Sequence, residues 1–253
     1  MPKKFQWLLR CKDNNSLNDL KNGVIRFSAP KHWQKPGKGV NDIYEGAIAV
    51  INDLEKHYIS ECPEICKGKS EKEIIIYDDR ILDVPCICFY GIEAKPGWIE
   101  IPNNYFADFI QEDKSKSGFI IVDANDLFQR IKQSLIKLGF NENDLFPKSV
   151  EYVDIHNIEK IIETRRIPFP YELTFKNSNY AHQNEVRFYI TSENKEALHK
   201  LMGPEKEGGQ EGYLHFDATD LCCIINEIPY DGEQLYLVQE ENGTLNILYG
   251  HHK

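Results

Sequence analysis

The sequence lacks the features that would place it in a membrane or in a disulfide-rich secreted protein. Its longest apolar runs, at 73–77, 86–90 and 118–122, are far shorter than the roughly 20 residues that a membrane-spanning helix needs. The N-terminal residues contain no apolar stretch of signal-peptide length before charged residues resume, which argues against secretion. The 7 cysteines are an odd number with close pairs at 86/88 and 222/223, a pattern that favours reduced thiols. We therefore expect a cytoplasmic protein.

Motifs of several enzyme classes are also missing. The chain has neither Gly-x-x-x-x-Gly-Lys-Ser/Thr nor Gly-x-Gly-x-x-Gly, which disfavours a P-loop and a Rossmann site, and it has no nucleophile elbow for Ser/His/Asp hydrolysis. His57, Cys62, Cys66, Cys86 and Cys88 could supply metal ligands, but the two separated CxxC knuckles of a strong zinc signal are absent. We expect no metal.

The composition that remains is typical of a folded globular protein. The chain has 253 residues, of which 41% are hydrophobic and 11% aromatic. A formal net charge of −10 argues against a protein that coats nucleic acid along its whole surface. Residues 1–40 differ from this average, because they contain nine Lys and Arg against two Asp. This segment can therefore form a local anion site, although a solvated basic face would have the same composition.

Hydrophobic spacing and turn residues predict a mixture of strands and helices. Predicted strands cover 5–11, 24–28, 73–77, 84–90, 119–122, 150–153, 173–175, 185–190, 222–228 and 235–240. Predicted helices cover 16–22, 41–59, the segment between Asp123 and Gly139, 155–163 and 195–202, and loops cover 30–39 and 204–212. Ser16, with Asp19 three residues later, is expected to open the first helix. Because strands and helices do not alternate regularly, the sequence predicts an α+β fold.

The segment 180–190 carries the most information about function. Its period-two alternation predicts a strand with an apolar face (Val186, Phe188, Ile190) and a polar face (Gln183, Glu185, Arg187). A cation on the same strand should keep Glu185 ionised at neutral pH, because a positive charge nearby favours the carboxylate. The alternative is a half-exposed strand with an ordinary surface pairing of Glu and Arg.

This segment resembles a motif of a known enzyme family. The pattern Tyr-Ala-x-Gln-x-Glu at 180–185 is similar to the Gln/Glu-x-Glu motif of the arginine–serine–glutamate class of mono-ADP-ribosyltransferases. An early strand of that family supplies an arginine that faces the phosphates of NAD, and Arg10 in FQWLLRC has the corresponding place. The family's middle Ser-Thr-Ser strand is matched only loosely, by residues 27–28 and 88–90.

A second resemblance covers residues 5–230. The order 26–30, 41–46, 87–89, 118–120, 175–176 and 184–187 is similar to a widespread family of uncharacterised bacterial proteins with an FS-x-P…ND-P-x-E…E-x-R signature. These proteins are often encoded near phage-defence genes, and the resemblance implies no settled activity. Together the two resemblances imply a divergent ADP-ribosyltransferase: a single domain over 1–253, with a split mixed or antiparallel β-sheet core and peripheral helices.

The first resemblance also implies catalytic roles. Release of nicotinamide from NAD builds positive charge on the ribose, and a fixed carboxylate stabilises such an oxocarbenium-like transition state. Glu185 is the candidate for this carboxylate, and Gln183 would orient the incoming acceptor. His182 could also contact the acceptor, or it could be an exposed loop residue.

NAD is the expected co-substrate, and five residues are expected to bind it. Arg10 would neutralise the pyrophosphate with a bidentate fork, and Arg26 and Ser28 would contribute further contacts. Tyr44 or Tyr90 could stack on nicotinamide, although each could equally be a core residue. Asn41, Asp42 and Glu45 are open to two interpretations, because Asn or Asp at a helix start commonly caps the helix.

The expected activity is that of an NAD-consuming toxin, in a toxin–antitoxin or antiviral defence setting. The acceptor would be a macromolecule, with modification of RNA slightly favoured over DNA and protein. Lys-rich residues 31–38 with Trp33, and Trp7 nearby in sequence, could hold single-stranded nucleic acid by charge and stacking. A cognate antitoxin protein is a natural partner, and no membrane is expected.

Two alternatives remain from the sequence. Asp42, Glu45 and Glu185 could hold Mg²⁺ in a metal-dependent nuclease. Alternatively, the face that carries Glu185 could dock a partner in a non-catalytic interaction module.

Overall fold

The computed structural model describes residues 5–33, 47–52, 66–69, 73–77, 79–93, 95, 97–107, 117–154, 156, 174–204, 211–227, 233–241 and 244–251. These residues form an α+β structure in which nearly all strand pairs are antiparallel, and this confirms the α+β class predicted from the sequence. None of the helices in this part of the chain is long and apolar enough to cross a membrane.

The elements follow one another in chain order. The strands are β1 Phe5–Asp13, β2 Val24–Ser28, β3 Ala47–Asn52, β4 Cys66–Lys69, β5 Glu73–Tyr77, β6 Cys86–Glu93, β7 Gly97–Ile101, β8 Ser117–Asp123, β9 Leu145–Ser149, β10 Glu151–Val153, β11 Phe175–Asn177, β12 Glu185–Ile190, β13 Glu211–His215, β14 Cys223–Glu227, β15 Glu233–Gln239 and β16 Leu245–His251. The helices are α1 Asn14–Lys21, α2 Pro30–Trp33, α3 Asp79–Leu82, α4 Asn103–Ala107, α5 Ala124–Leu138 and α6 Lys195–Met202, with a 3-10 helix at Ser178–Gln183.

An eight-stranded sheet forms the centre of the molecule, and β6 lies at its branch point. One edge of β6 pairs with β12 from Cys86 to Tyr90. The other edge is shared, because β2 touches it only where Ser28 faces Cys86, and β1 pairs with it from Tyr90 onward. Between these two contacts β1 and β2 diverge. The sheet is therefore divided into one wing of β1, β8 and β14 and another of β2 and β13.

Two hydrophobic clusters cover the two faces of this sheet. The larger one contains the apolar side of β12 and the buried side of α5. The smaller one contains alternate residues of β1 and is closed by the three-stranded sheet β16-β15-β7. Val186, Phe188 and Ile190 all belong to the larger cluster, which confirms the predicted apolar face of this strand.

The local signals for α5 and α6 are confirmed by the structure. Asp123 caps α5 by accepting a hydrogen bond from the Asp126 backbone N–H at 2.8 Å, and Gly139 ends it with a left-handed φ of 101°. The expected cap of the first helix is wrong. Asp13, not Ser16, caps α1, and it accepts hydrogen bonds from the Ser16 backbone N–H and hydroxyl.

The predicted helix at 41–59 is also wrong over its described part, because Ala47–Asn52 is a strand. It pairs antiparallel with Glu73–Tyr77, and both runs are rich in β-branched residues that suit a pleated sheet. The apolar residues of this segment have helical spacing, but pairing with a strand that is distant in sequence determines its conformation. The predicted helix at 155–163 lies outside the described residues except for His156. Strands β4, β7, β9, β13 and β16 were not predicted.

Candidate functional site

The start of β12 is fixed by a tight turn against β6. Asn184 has a left-handed backbone with φ of 36°, and its side-chain Nδ2 donates to the Gly91 carbonyl at 2.6 Å. The Gly91 backbone N–H in turn donates to the Asn184 carbonyl at 2.9 Å. A Cβ on Gly91 would lie 2.6 Å from the Phe5 ring, so this approach requires glycine. The residue that follows the turn, Glu185, is thereby held in one place.

Glu185 is the centre of a buried ion cluster. Its side chain is 7% exposed, and that of Arg187 is 1% exposed. Lys176 Nζ lies 3.0 Å from one Glu185 carboxylate oxygen, and Arg187 Nε donates to the other. The Glu185 backbone N–H donates to the Tyr152 hydroxyl at 2.8 Å. Two cations thus fix the orientation of one carboxylate.

The charges of this cluster decide the protonation state of Glu185. Burial alone would raise its pKa, but the positive charges of Arg187 and Lys176 hold the pKa well below the ordinary value. The carboxylate is therefore ionised at neutral pH, which agrees with the prediction. Burial, and then the Glu185 charge, raise the pKa of the nearby Tyr152 hydroxyl.

The surroundings of Glu185 correct two details of the predicted strand. All six residues of β12 are buried, so the alternative of a half-exposed strand is wrong. Gln183 is buried too, but it ends the 3-10 helix, and the left-handed Asn184 separates it from the strand. The alternation of strand residues therefore begins only at Glu185. His182 lies on the same 3-10 helix and is half-buried.

A second site lies where the sheet is divided. A small cleft of about 70 Å³, partly open to solvent, is lined by β1, α1, β2 and β13. Its charged lining residues are Arg10 and Lys12 of β1, Asp19 of α1 and Arg26 of β2. We call this the cationic cleft. Two of its three cations, Arg10 and Arg26, were predicted as site residues from the sequence, and the structure brings them together.

Arg10 forms the inner wall of the cationic cleft. Its guanidinium carbon lies 5.5 Å from the centroid of the Phe89 ring on β6. Its Nη1 is buried and has no hydrogen-bond partner among the described residues. Burial lowers the pKa of Arg10 to about 10; the nearby Cys88 offsets part of this shift, and the charge of Arg26 adds to it.

Lys12 and Arg26 complete the positive charge. Burial, and then repulsion by Arg10 and Arg26, lower the pKa of Lys12 to about 8. Arg26 Nη1 lies 3.3 Å from a carboxylate oxygen of Glu211. His32 Nε2 lies 2.9 Å from the same oxygen. Lys12 was missed by the sequence analysis, although its position two residues after Arg10 on a strand was the signal that could have found it.

The two sites lie on opposite edges of β6. In the sheet register Leu9 faces Tyr90, and Tyr90 faces Glu185. Because neighbouring strands lie about 4.8 Å apart, the backbones of Leu9 and Glu185 are roughly 10 Å apart. Glu185 is not among the residues that line the cationic cleft. The structure thus places the predicted arginines and the predicted carboxylate near each other but not in one cavity.

Other predicted site residues lie in the protein interior. Tyr90 is buried in the smaller hydrophobic cluster, where its ring centroid is 4.8 Å from that of Tyr105. Ser28 is buried opposite Cys86 and does not line the cleft. Trp7 is buried, so the idea that it stacks on nucleic acid is wrong. Tyr44 lies outside the described residues.

Most of the residues that were considered as metal ligands lie outside the part of the chain that the structure describes. Asn41, Asp42 and Glu45 lie outside the described residues, as do His57 and Cys62. Within the described part of the chain, no group of three or more His, Cys, Asp or Glu side chains could hold a metal ion.

Comparison with known proteins gives no assignment. No protein-family model, curated protein or solved structure matches this chain. The function of this chain is therefore inferred from the two sites themselves and from the resemblance of the Gln-x-Glu segment.

Proposed function

We propose that the protein is an NAD-dependent mono-ADP-ribosyltransferase that modifies a macromolecule. The observation that carries the proposal is a carboxylate, Glu185, that is kept ionised at a fixed place on the strand next to a divided, arginine-lined sheet. A split sheet with an early arginine and a late Gln-x-Glu segment is what the resemblance to this enzyme class implies. RNA is the acceptor we favour slightly over DNA and protein.

The chemistry needs a negative charge beside the ribose. The bond between nicotinamide and ribose breaks, and its electron pair leaves with the nicotinamide nitrogen. Glu185 stabilises the positive charge that develops on the ribose, and Gln183 orients the acceptor. The acceptor nucleophile then bonds to the anomeric carbon and loses its proton. Arg10 and Arg26 neutralise the pyrophosphate, since guanidinium groups bind phosphate oxygens in pairs.

Lys176 sets a condition on this reaction. Its Nζ occupies one Glu185 carboxylate oxygen at 3.0 Å, and a ribose hydroxyl would need that oxygen. Binding of NAD must therefore displace the Lys176 contact, while Arg187 keeps its own. The Lys176 side chain is 11% exposed and belongs to the short strand β11, which is not part of the central sheet that carries Glu185.

The test is release of nicotinamide from NAD by the purified protein, with and without a mixture of cellular RNA, DNA and protein. Glu185→Gln alone would remove the carboxylate from two buried cations, so the informative variant is Glu185→Gln with Lys176→Gln, in which Arg187 is the one cation of the pair that loses it. Glu196→Gln on the exposed face of α6 is the matched control.

We expect the wild type and the control to release nicotinamide, and the folded double variant to lose at least a hundredfold in rate, about 2.7 kcal/mol of transition-state stabilisation. Retention of the full rate by the folded double variant contradicts the role of Glu185. No release by the wild type with any acceptor pool contradicts the transferase, and is the result expected of a nuclease or an interaction module. Labelled NAD then shows which pool is modified.

A further inference from the structure

We propose that the cationic cleft binds a doubly charged phosphate group, that of a phosphate monoester, between Arg10, Lys12 and Arg26. The proposed function assigns two of these cations, Arg10 and Arg26, to the pyrophosphate of NAD, in which each phosphate carries a single charge. The inference goes beyond that function, because it adds Lys12 and a doubly charged ligand. It is tested at the cleft, which contains no part of the Glu185 cluster.

Positive charge exceeds negative charge in the cationic cleft. Arg26 is already paired with Glu211, at 3.3 Å. Arg10 and Lys12 form no ion pair with any carboxylate of the described residues, and Asp19, which also lines the cleft, is exposed and pairs with neither of them, so both positive charges lack a close counter-charge in a partly enclosed space. A phosphate monoester carries nearly two negative charges at neutral pH and would compensate both.

One of the guanidinium donors of Arg10 is buried. The Nη1 group is enclosed, and no acceptor of the described residues reaches it. A buried donor without an acceptor is unfavourable, because it has lost its hydrogen bonds to water. The Phe89 ring covers one side of the guanidinium, and the cleft lies beside it. A phosphate oxygen in the cleft would supply the missing acceptor in a charge-assisted bond.

The three cations of the cleft repel one another. Arg10 and Lys12 lie two residues apart on one strand, and Arg26 faces them from β2 across the divided sheet. The repulsion among three such cations opposes folding unless an anion binds among them. A partly enclosed cleft that brings three cations together, of which Arg26 alone forms an ion pair with a carboxylate of the described residues, fits a ligand site better than a structural ion network.

One carboxylate in the cleft opposes anion binding and supplies a test. Asp19 lines the cleft from α1 and is exposed. Its negative charge should weaken the binding of a phosphate, so Asp19→Asn should tighten binding and Lys12→Gln should weaken it. A variant that merely disturbs the fold would weaken binding in both cases.

The experiment is calorimetric titration of the full chain with AMP, adenosine, NAD and inorganic phosphate. We expect AMP and phosphate to bind, adenosine not to bind, and NAD to bind at least tenfold more weakly than AMP. Lys12→Gln should weaken the binding of AMP about tenfold, and Asp19→Asn should tighten that binding severalfold. Equal affinity for AMP and NAD, no effect of Lys12→Gln, or no binding of AMP and phosphate would each overturn the inference.

Chemical labelling locates the site independently. The aldehyde of pyridoxal 5′-phosphate condenses with an amine to an imine and releases water, and borohydride then reduces the imine to a stable secondary amine. We expect Lys12 to be labelled preferentially, and AMP but not adenosine to protect it. Labelling of other lysines only, or no protection by AMP, would contradict the assignment.

These outcomes separate the two proposals. AMP binding that depends on Lys12, in a protein that releases no nicotinamide, supports the monoester site and contradicts the transferase. Nicotinamide release in a protein whose cleft does not bind AMP supports the transferase and contradicts the monoester site.

Discussion

The Glu185 cluster and the cationic cleft are two groups of charges on opposite edges of one strand, β6. In the cluster, a single carboxylate is shared by two cations, and every charge has a partner. In the cleft, three cations face one another, and among the described residues only Arg26 is paired with a carboxylate. Paired buried charges hold a structure in one arrangement, whereas cations gathered without counter-charge indicate a place for an anionic ligand. Removing a cation should therefore have opposite effects on stability in the two regions.

The largest effect is expected in the cluster. Arg187→Met should destabilise the protein by about 3–5 kcal/mol, because it leaves Glu185 buried with Lys176 as its remaining cation. The free energy of unfolding from urea titration measures the change, and Arg187→Lys, which keeps the charge, is the control. A loss under about 1 kcal/mol would show that the cluster does not stabilise the fold.

The stability of the protein should fall at acid pH, because protonation of Glu185 removes the ion pairs of the cluster. The folded-state pKa of Glu185 is lowered, so its stabilising contribution is complete above the ordinary value of 4.5 and is lost as the pH falls below it. Urea midpoints measured from pH 7 to pH 3 should fall steeply in the wild type. The decline should be shallower in the double variant Glu185→Gln with Lys176→Gln, and equal slopes would exclude Glu185 as the cause.

The smallest effect is expected in the cleft, and it has the opposite sign. The pKa of Lys12 is lowered to about 8, so below that pH the folded state carries a charged amine at a cost, which disappears as the pH rises towards 10.5. After allowance for partial exposure, Lys12→Gln should stabilise the protein at pH 7 by about 1 kcal/mol. The gain should vanish near pH 10.5, and a destabilised variant at pH 7 would contradict the repulsion among Arg10, Lys12 and Arg26.

Binding in the cleft sharpens the comparison further. The groups that act on Lys12 are Arg10 and Asp13 on or next to its own strand, Arg26 on β2 and Cys88 on β6. Since Lys12 loses its proton near pH 8, the affinity for AMP should fall severalfold between pH 7 and pH 9. Lys12→Gln should remove this alkaline decline, and titration calorimetry at the two pH values measures it.

Local patterns in the sequence predicted those parts that depend on neighbouring residues. The period-two alternation of 185–190 gave the right core face, and Asp123 and Gly139 marked both ends of α5. The helix expected at 41–59 failed because pairing with a distant strand decided the conformation of its described part.

The sites depend on long-range register, which local patterns do not contain. The division of the sheet arises where β1 and β2 leave β6, and the gap between them makes the cleft. Lys176 reaches Glu185 from a separate short strand, so its pairing with the carboxylate could not be read from strand alternation. Strand alternation also failed within the Gln-x-Glu motif. Asn184 has a left-handed backbone, so Gln183 belongs to the 3-10 helix and not to the strand.

A crystal structure of the protein soaked with NAD tests the central claim most directly. The account predicts that the nicotinamide ribose lies within hydrogen-bond distance of the Glu185 carboxylate, with Lys176 displaced from it and the Arg187 contact retained. A structure in which NAD is bound while Lys176 still occupies Glu185 and no ribose reaches that carboxylate would contradict it.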